Sequence, residues 1–239
     1  MRVETQAVDA GELDVDVLGV PVTEDTDYNR FPEPVRARLA ALAEAGDVRS
    51  EVGATTIVHL NGELVARRLA VVGVGAEPDA DAIRTAAAAV ARAATSFGGS
   101  IGWELDSALP VSPTEQARAV VEGIAYGAYA PARWKTADRA TREIDRVVLA
   151  GSDENGLGAA AERAARVSRW VDFARDLANA PPNELTPEEL AARATSAAGD
   201  VEHLNVEALD RAQIESLGMG AFAAVAQGSE HEPRLIVMR

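Results

Sequence analysis

Short apolar runs and amphipathic helices alternate along the first 152 residues, and this alternation restricts the fold more than any other feature of the sequence. Residues 69–75 are apolar throughout, which is typical of a central strand covered on both faces. Residues 2–7 alternate like an edge strand, and further strands are predicted at 13–20, 55–60, 100–105 and 143–151. Strands that alternate with helices predict a three-layer α/β domain over residues 1–152.

Local signals mark where the helices and turns of this domain begin and end. One helix is predicted to begin near Pro34 and to end at Gly46, and a second begins after Asp79, whose carboxylate can cap it. A capping box that begins at Ser112 opens a third. Between the strand at 55–60 and its return strand, Asn61-Gly62 predicts a tight hairpin.

A junction rich in proline separates this region from the rest of the chain. A helix over about 155–178 leads into Pro181-Pro182, which removes two backbone donors and restricts the preceding residues to extended geometry. The helix therefore ends near Asn179, and a new one begins at Thr186-Pro187 with Thr186 as its cap. The incoming helix has an apolar stripe of Val167, Trp170, Val171, Ala174 and Leu177.

Beyond the junction the sequence predicts a helix at 187–198, a short strand at 201–206, a helix closed by Gly218 and a final strand at 234–239. The final strand has the apolar character of a core strand, which needs neighbours and covering helices. We therefore expect the elements after Pro187 to be the least stable part of the chain.

The composition limits the classes of function. The net charge is −15, with Lys135 as the single lysine, and this balance disfavours nucleic acids and anionic membranes as partners. No cysteine is present, so thiolate chemistry is excluded. We expect a cytoplasmic protein, because no signal segment or membrane-spanning run is seen. An excess of acidic residues with almost no lysine favours a halophilic origin. A GC-rich genome, which favours arginine codons, is the alternative; it explains the scarcity of lysine but explains the excess of acidic residues less well.

No catalytic constellation follows from the residues alone. Gly73-Val74-Gly75 lies between a strand and a helix, but the dinucleotide fingerprint needs a third glycine where Pro78 stands, so a plain turn is the simpler interpretation. The three histidines are too far apart for a local metal-ligand motif. Ser229 and His231 are neighbours on a polar loop, which rarely aligns a nucleophile with its base.

Three ordered motifs carry a resemblance to a known family. The junction reads A-R-D-L-A-N at 174–179, followed by Pro182-Asn183 and Thr186-Pro187. Upstream stands E-G-I-A-Y-G-A-Y at 122–129 with Trp134-Lys135, and downstream stands L-G-M-G at 217–220, then G-S at 228–229 and P-R-L-I-V at 233–237. In this order and spacing the chain resembles the leucyl (cytosol) aminopeptidase family from about residue 120 to its last residue.

The residues that the resemblance singles out are those that match the family's motifs at the junction and in the segment after it. They are Arg175, Asp176, Asn179, Pro182, Asn183, Thr186, Pro187, Gly218, Met219, Gly220, Gly228 and Ser229. The resemblance implies a macro-domain-like N-terminal domain (1–152), a connecting helix with the Pro-Pro junction (153–186) and the incomplete start of an α/β metallopeptidase domain (187–239).

The family's activity is also implied by the resemblance. Its members remove N-terminal residues such as leucine from peptides, use two divalent metals (zinc, manganese or cobalt) and are commonly homo-hexamers. Its metal ligands, including those of N-T-D-A-E-G-R, and its catalytic lysine and arginine all lie beyond the position equivalent to Arg239. No catalytic or metal residue is therefore assigned to this chain, which is expected to be truncated, to hold no cofactor and to be inactive alone.

An alternative from another class stays open at this point. A macro-domain-like first domain predicts binding of ADP-ribose or another nucleotide near Gly73 and Gly75, or docking of a partner through the second half. Peptide is expected as substrate only when the catalytic half is supplied, and no nucleic acid or membrane partner is expected.

Overall fold

The computed structural model describes residues 1–131, 142–151, 156–199 and 201–239. These residues form two compact units, Met1–Asp172 and Phe173–Arg239, and each unit is described by itself. The motif residues Trp134 and Lys135 lie outside the described residues.

A six-stranded sheet is the centre of the first unit. Its strands are β1 (Arg2–Gln6), β2 (Val17–Val22), β3 (Thr55–His59), β4 (Arg68–Gly73), β5 (Gly99–Glu104) and β6 (Ile144–Ala150). They lie in the order β1-β6-β5-β2-β4-β3. Every pair is parallel except β3 with β4, which is antiparallel. The alternation of strands and helices explains this arrangement, because parallel neighbours need crossover helices between them.

Helices cover both faces of the sheet. On one face α2 (Ala80–Ala94), α3 (Pro113–Ala128) and the start of α4 (Leu157–Asn179) share a buried cluster with sheet residues such as Ile101 and Trp103. On the other face α1 (Glu33–Glu44) shares a second buried cluster with residues such as Leu18 and Leu69. The prediction of a three-layer α/β domain is confirmed.

Two glycines of α3 allow it to approach α2 closely. A Cβ atom at Gly123 would lie 2.3 Å from the Arg84 carbonyl oxygen, and one at Gly127 would lie 2.2 Å from that of Ala88. These distances are too short for any side chain, so the two helices pack with their backbones in contact through the glycines.

The predicted helix signals have the expected geometry. The Asp79 carboxylate accepts a hydrogen bond from the Ala82 N–H at 2.7 Å, and the Ser112 hydroxyl accepts one from the Glu115 N–H at 3.4 Å. Gly46, with φ of +79°, follows the end of α1. The apolar stripe predicted for α4 is not its buried face, however. The buried positions are Leu157, Ala161, Ala164 and Ser168, whereas Val167 and Val171 are 45% and 47% exposed.

The tight hairpin predicted at Asn61-Gly62 is wrong. His59 pairs with Arg68, so that residues 60–67 form a longer connection between β3 and β4. Tertiary contacts stabilise this loop, since the Arg67 N–H donates to the Val15 carbonyl at 3.2 Å and Ala66 is buried in the second cluster. A signal local to Asn61-Gly62 cannot report such contacts.

The second unit is smaller and contains short elements. After the end of α4 come α5 (Pro187–Gly199), β7 (Val206–Leu209), α6 (Arg211–Ser216), α7 (Gly220–Val225) and β8 (Leu235–Met238). Strands β7 and β8 form an antiparallel pair. Its buried cluster consists of Leu209, Ile214 and Ala223, with Met219 and Leu235 packed against them.

The predicted strand at 201–206 is wrong, and α7 was not predicted. Residues 201–204 form a turn in which the Leu204 N–H donates to the Val201 carbonyl, and His203 has a φ of +67° that no strand residue adopts. The strand instead begins at Val206, while Gly218 (φ +71°) closes α6 as expected. Among the described residues, no helix is long and apolar enough to cross a membrane.

Candidate functional site

A crevice of about 670 Å³ lies at the carboxyl ends of three neighbouring strands in the first unit. The loops that follow β2, β4 and β5 line it with residues 23–27, 76–78, 106 and 108–110, together with Arg30. In parallel α/β sheets, ligands bind in crevices at this end of the strands, because the loops there are free to diverge from the sheet. The crevice is therefore the candidate ligand site of the first unit.

Carboxylates dominate the lining of this crevice. They belong to Glu24, Asp25, Asp27, Glu77 and Asp106. Arg30 is the single basic residue of the lining, and its Nη1 atom lies 3.4 Å from the Asp106 Oδ2 atom and 3.4 Å from the Glu104 Oε1 atom. The site thus has a negative field, which is better suited to a cationic or neutral ligand than to a phosphate.

Glu104 ends β5 in a second, smaller cavity of about 340 Å³ that shares Arg30 with the crevice. Burial raises the pKa of Glu104, and the charges of Asp106 and Asp9 add to this effect while Arg30 opposes it. Its Oε2 atom is buried and has no hydrogen-bond partner among the described residues. The carboxyl group in this position therefore binds its proton more tightly than an exposed glutamate does.

The turn at Gly73-Val74-Gly75 does not have free donors for a phosphate. The Gly73 N–H donates to the Ala54 carbonyl at 2.9 Å, the Val74 N–H to that of Val22 at 3.0 Å, and the Gly75 N–H to that of Ser50 at 2.7 Å. A phosphate-binding loop needs such N–H groups directed at the ligand. The geometry therefore favours the plain strand-to-helix turn over a nucleotide site.

The junction in the second unit is held by a short series of hydrogen bonds. Helix α4 ends at Asn179, whose side-chain amide donates to the Arg175 carbonyl at 2.8 Å. Both the Glu184 and Leu185 N–H groups donate to the Pro181 carbonyl at 2.9 Å. This carbonyl closes a compact turn between the two helices, at the place where the prolines were predicted to separate them.

The restart of the helix follows the predicted cap. The Thr186 hydroxyl accepts a hydrogen bond from the Glu189 N–H at 3.2 Å, and Pro187 is the first residue of α5. The Glu189 carboxylate accepts from the Arg193 guanidinium at 2.7 Å. The remaining motif positions of the junction are Asp176, Pro182 and Asn183, which lie on the last turns of α4 and in this connection.

The later motif residues shape the turn between α6 and α7 and the loop after α7. Gly218 has a φ of +71°, its carbonyl accepts from the Gly220 N–H at 2.9 Å, and Met219 packs against the buried cluster of this unit. Gly228 and Ser229 follow α7 in an exposed loop. These contacts are structural, and whether the motif positions have a further role stays a prediction.

The histidines and Ser229 do not form a catalytic group. His59 contacts Phe97 edge-on with ring centres 5.8 Å apart, and His203 is an exposed turn residue beside Glu202. Ser229 accepts a hydrogen bond from the backbone N–H of His231 at 3.1 Å, not from its ring. Among the described ranges, no three His, Asp or Glu side chains are grouped so that they could hold a metal ion.

Comparison with known families gives two matches in consecutive order along the chain. Residues 20–138 match the N-terminal domain of the cytosol aminopeptidase family, and residues 172–239 match the catalytic domain of the same family. The chain belongs to the cytosol aminopeptidase family. The three motifs at the junction and around it had indicated this family, and the resemblance is confirmed.

Individual relatives of this family member agree with the assignment. A probable cytosol aminopeptidase of Roseiflexus castenholzii is 34% identical over all of this chain and 49% of its own length. A probable cytosol aminopeptidase of Xanthomonas axonopodis pv. citri is 34% identical over 85% of this chain and 42% of its own length. The chain thus spans about half the length of the curated relatives it matches.

Solved structures of similar fold support the architecture. A tomato leucine aminopeptidase variant superimposes with a TM-score of 0.82 over 100% of this chain and 50% of its own length, at 24% identity. The bottromycin maturation enzyme BotP, in a complex with Mn, gives a TM-score of 0.76 over 93% of this chain and 44% of its own, at 23% identity. The fold of the family member described here is therefore that of these enzymes over the shared region.

Sequence reasoning missed the residues that line the crevice. Arg30 and Asp106 were not singled out, because their side chains meet in the fold although they are 76 residues apart in the sequence. Glu104, which lines the neighbouring smaller cavity with Arg30, was missed for the same reason. The one signal that could have found part of the lining is position: Glu24, Glu77 and Asp106 each follow a predicted strand within four residues, where ligand sites of parallel sheets lie.

Proposed function

We propose that this chain supplies the N-terminal domain and the first part of the catalytic domain of a metal-dependent aminopeptidase that removes N-terminal amino acids, leucine among them, from peptides. The observation that carries the proposal is the pair of matches to the family's N-terminal and catalytic domains, in family order, at 20–138 and 172–239. The fold likeness to a tomato leucine aminopeptidase is in accord with it.

The two divalent metals of the family would polarise the scissile carbonyl and activate a water molecule. Zinc or manganese is the proposed metal, by resemblance. The described side chains of this chain do not offer a set of ligands that fits such ions. We therefore assign no step of the reaction to them and propose that the family's second half, which follows the matched region, provides the ligands and the catalytic lysine and arginine.

We expect the 239-residue chain to be inactive when it is alone. The experiment is hydrolysis of leucine p-nitroanilide by the purified chain with Mn²⁺ or Zn²⁺, and the expected result is no release of nitroaniline above that of buffer. Turnover that a chelator abolishes would contradict the proposal. A matched reaction with the full-length Roseiflexus castenholzii relative controls for the assay conditions.

Complementation tests the same proposal from the other side. The portion of the Roseiflexus castenholzii relative that this chain does not cover is co-expressed with the chain, and the complex is assayed with the same substrate. Metal-dependent turnover that neither piece gives alone is expected. If the pieces copurify but remain inactive with every metal tested, the proposal that this chain forms part of an aminopeptidase is wrong.

Three further properties are proposed by resemblance and composition. They are a cytoplasmic location, a homo-hexameric assembly of the complete enzyme and adaptation to high salt. The last rests on the net charge of −15, whose self-repulsion is screened by salt. Thermal melting in 0.1 M and in 3 M KCl tests it: we expect a higher Tm at high salt, and equal Tm values would contradict it.

A second candidate is binding of a small molecule in the crevice of the first unit. The position of the crevice at the carboxyl ends of β2, β4 and β5 favours this candidate. ADP-ribose fits poorly, because its diphosphate would face the carboxylates of the lining and the donors at Gly73–Gly75 are already used. We expect no thermal shift with ADP-ribose, and a saturable shift would restore the nucleotide hypothesis.

A further inference from the structure

The two edges of the six-stranded sheet differ in how they are protected. At one edge, β1 carries Arg2 and Glu4, which form an ion pair at 2.9 Å, and Arg146 of β6 approaches the same Glu4 at 3.9 Å. At the other edge, β3 reads Thr-Thr-Ile-Val-His and has no proline and no Asp, Glu, Lys or Arg. Proteins usually protect an edge strand with charges, prolines or bulges, because its free backbone groups otherwise pair with another strand.

The register shows which backbone groups of β3 are free. The Gly73 N–H donates to the Ala54 carbonyl, and at the other end the Leu60 N–H donates to that of Arg67. Ala54 and Leu60 are the even-numbered residues that flank β3, and their partners are the last residue of β4 and the residue before β4. Because hydrogen-bonded and non-hydrogen-bonded pairs alternate along an antiparallel ladder, Thr56 and Val58 also face β4. The N–H and C=O groups of Thr55, Ile57 and His59 therefore point away from the sheet.

The outward N–H and C=O groups of β3 can pair with the same groups of β3 in a second copy of the chain. If a two-fold axis passes beside Ile57, Ile57 of one copy lies opposite Ile57 of the other, and Thr55 of each copy lies opposite His59 of the other. At all three positions the outward N–H and C=O groups of one copy then meet those of the other. No like charges meet within the strand pair. The His59 carbonyl already accepts from the Arg38 guanidinium at 2.8 Å, and its second lone pair is available to the added strand.

We propose that β3 is a self-association edge, at which two copies of this chain pair antiparallel about Ile57 and join their sheets. A second copy is the favoured occupant because the register is satisfied by symmetry, which is the property of a closed two-fold interface. We expect the side chains beside β3 to add little to the free energy of association. The dimer should therefore be weak, and its population should depend on the protein concentration. Salt strengthens it, since each copy carries a net charge of −15.

Two double variants test the register directly in the full chain. In T55E/H59E the proposed pairing places two glutamates opposite each other at both ends of the strand pair, whereas in T55E/H59K it places Glu opposite Lys. Both variants change the same positions and remove the same contact of His59 with Phe97. Sedimentation velocity from 1 to 300 μM, in 0.15 M and 1 M KCl, measures the dimer of the 25.0 kDa chain.

We expect the dimer Kd of T55E/H59E to be at least about tenfold higher than that of T55E/H59K. Like charges opposite each other destabilise a strand pair and opposite charges stabilise it, and each such pair occurs twice in the dimer. Circular dichroism checks that both variants keep the same Tm within a few degrees. The proposal is wrong if wild type is monomeric throughout, or if the two variants associate equally. It is also wrong if Val237→Glu in β8, and not the β3 variants, disrupts the dimer.

Discussion

The two units of this chain are built from the same kinds of elements but bury very different amounts of apolar surface. In the first unit, a six-stranded sheet has a buried cluster on each face, and large side chains such as Trp103 and Leu149 are fully inaccessible. In the second, two strands and short helices enclose Leu209, Ile214 and Ala223. Leu217 and Val225 of this unit are 61% and 89% exposed.

This difference predicts a difference in stability. Burial of apolar surface is the main favourable term in folding, and an isolated two-stranded sheet is marginal in water. The first unit contains what an independent α/β domain needs, whereas the second has a core of a few side chains. We expect the first unit to unfold globally and the second to open at a much lower free energy.

Matched core truncations should give the largest contrast. Leu149→Ala in β6 removes a fully buried side chain, and we expect it to lower the free energy of unfolding of the first unit by about 2–5 kcal/mol. Ile214→Ala in α6 removes a side chain that is equally inaccessible, but it should leave the main urea transition unchanged. A main transition that moves equally in both variants would mean that the units unfold as one.

Two glycine substitutions sharpen the comparison at the level of packing. At Gly123 a methyl group meets the backbone of α2, so we expect Gly123→Ala to cost about 1–3 kcal/mol in urea unfolding. At Gly199, the last residue of α5, a Cβ atom would meet nothing within 4 Å, and Gly199→Ala should change stability by less than about 1 kcal/mol. Equal costs would show that α2 and α3 have room to separate.

Acid titration examines a polar contact that holds the first unit together. Burial alone would raise the pKa of Asp16, but hydrogen bonds from the Ser100 N–H and hydroxyl, with the charges of Arg67 and Arg68, hold it below its ordinary value of 3.8. The stabilisation is therefore complete above pH 3.8 and is lost as pH falls through the lower folded-state value. We expect Asp16→Asn to cost about 1–2 kcal/mol at pH 7, and the difference from wild type to shrink below pH 3.8.

Glu104 should behave in the opposite way, with the smallest effect of the series. Because burial raises its pKa above the ordinary value of 4.5, the folded state binds the proton more tightly, and stability increases as pH falls through the folded-state value. The free energy of unfolding of Glu104→Gln is therefore expected to equal that of wild type, or to exceed it by up to about 1 kcal/mol, at pH 7. Below pH 4.5 the two proteins should be equally stable. A large loss at pH 7 would show that the ion pair with Arg30 outweighs burial.

Local signals predicted the first unit well because its elements are specified by residues close in sequence. Apolar runs located the strands, and the caps at Asp79 and Ser112 lie where the sequence placed them. Predictions were wrong where a distant contact, or a backbone conformation that the local pattern does not indicate, decides the structure. The connection after β3 is fixed by hydrogen bonds to residues near position 15, and the 201–206 segment is interrupted by the left-handed residue His203.

The candidate site shows the same limit more strongly. The crevice exists because Arg30 and Asp106 come together with loops from three strands, and no pattern within a short window contains that information. The family, by contrast, was indicated by the order and spacing of its sequence motifs. Three positions of these motifs, Asn179, Thr186 and Gly218, serve local geometry, as the end of a helix, a cap and a left-handed turn.

Native-state hydrogen exchange of the whole chain tests the contrast between the two units most directly. We expect amides of β2, β4, β5 and β6 to exchange only through global unfolding, and amides of β7 and β8 to exchange at least about a hundredfold faster, corresponding to about 3 kcal/mol less protection. The rates are read residue by residue by NMR at pH 7. Equal protection of β8 and β5 would contradict the account, because it would require the second unit to be as stable as the first.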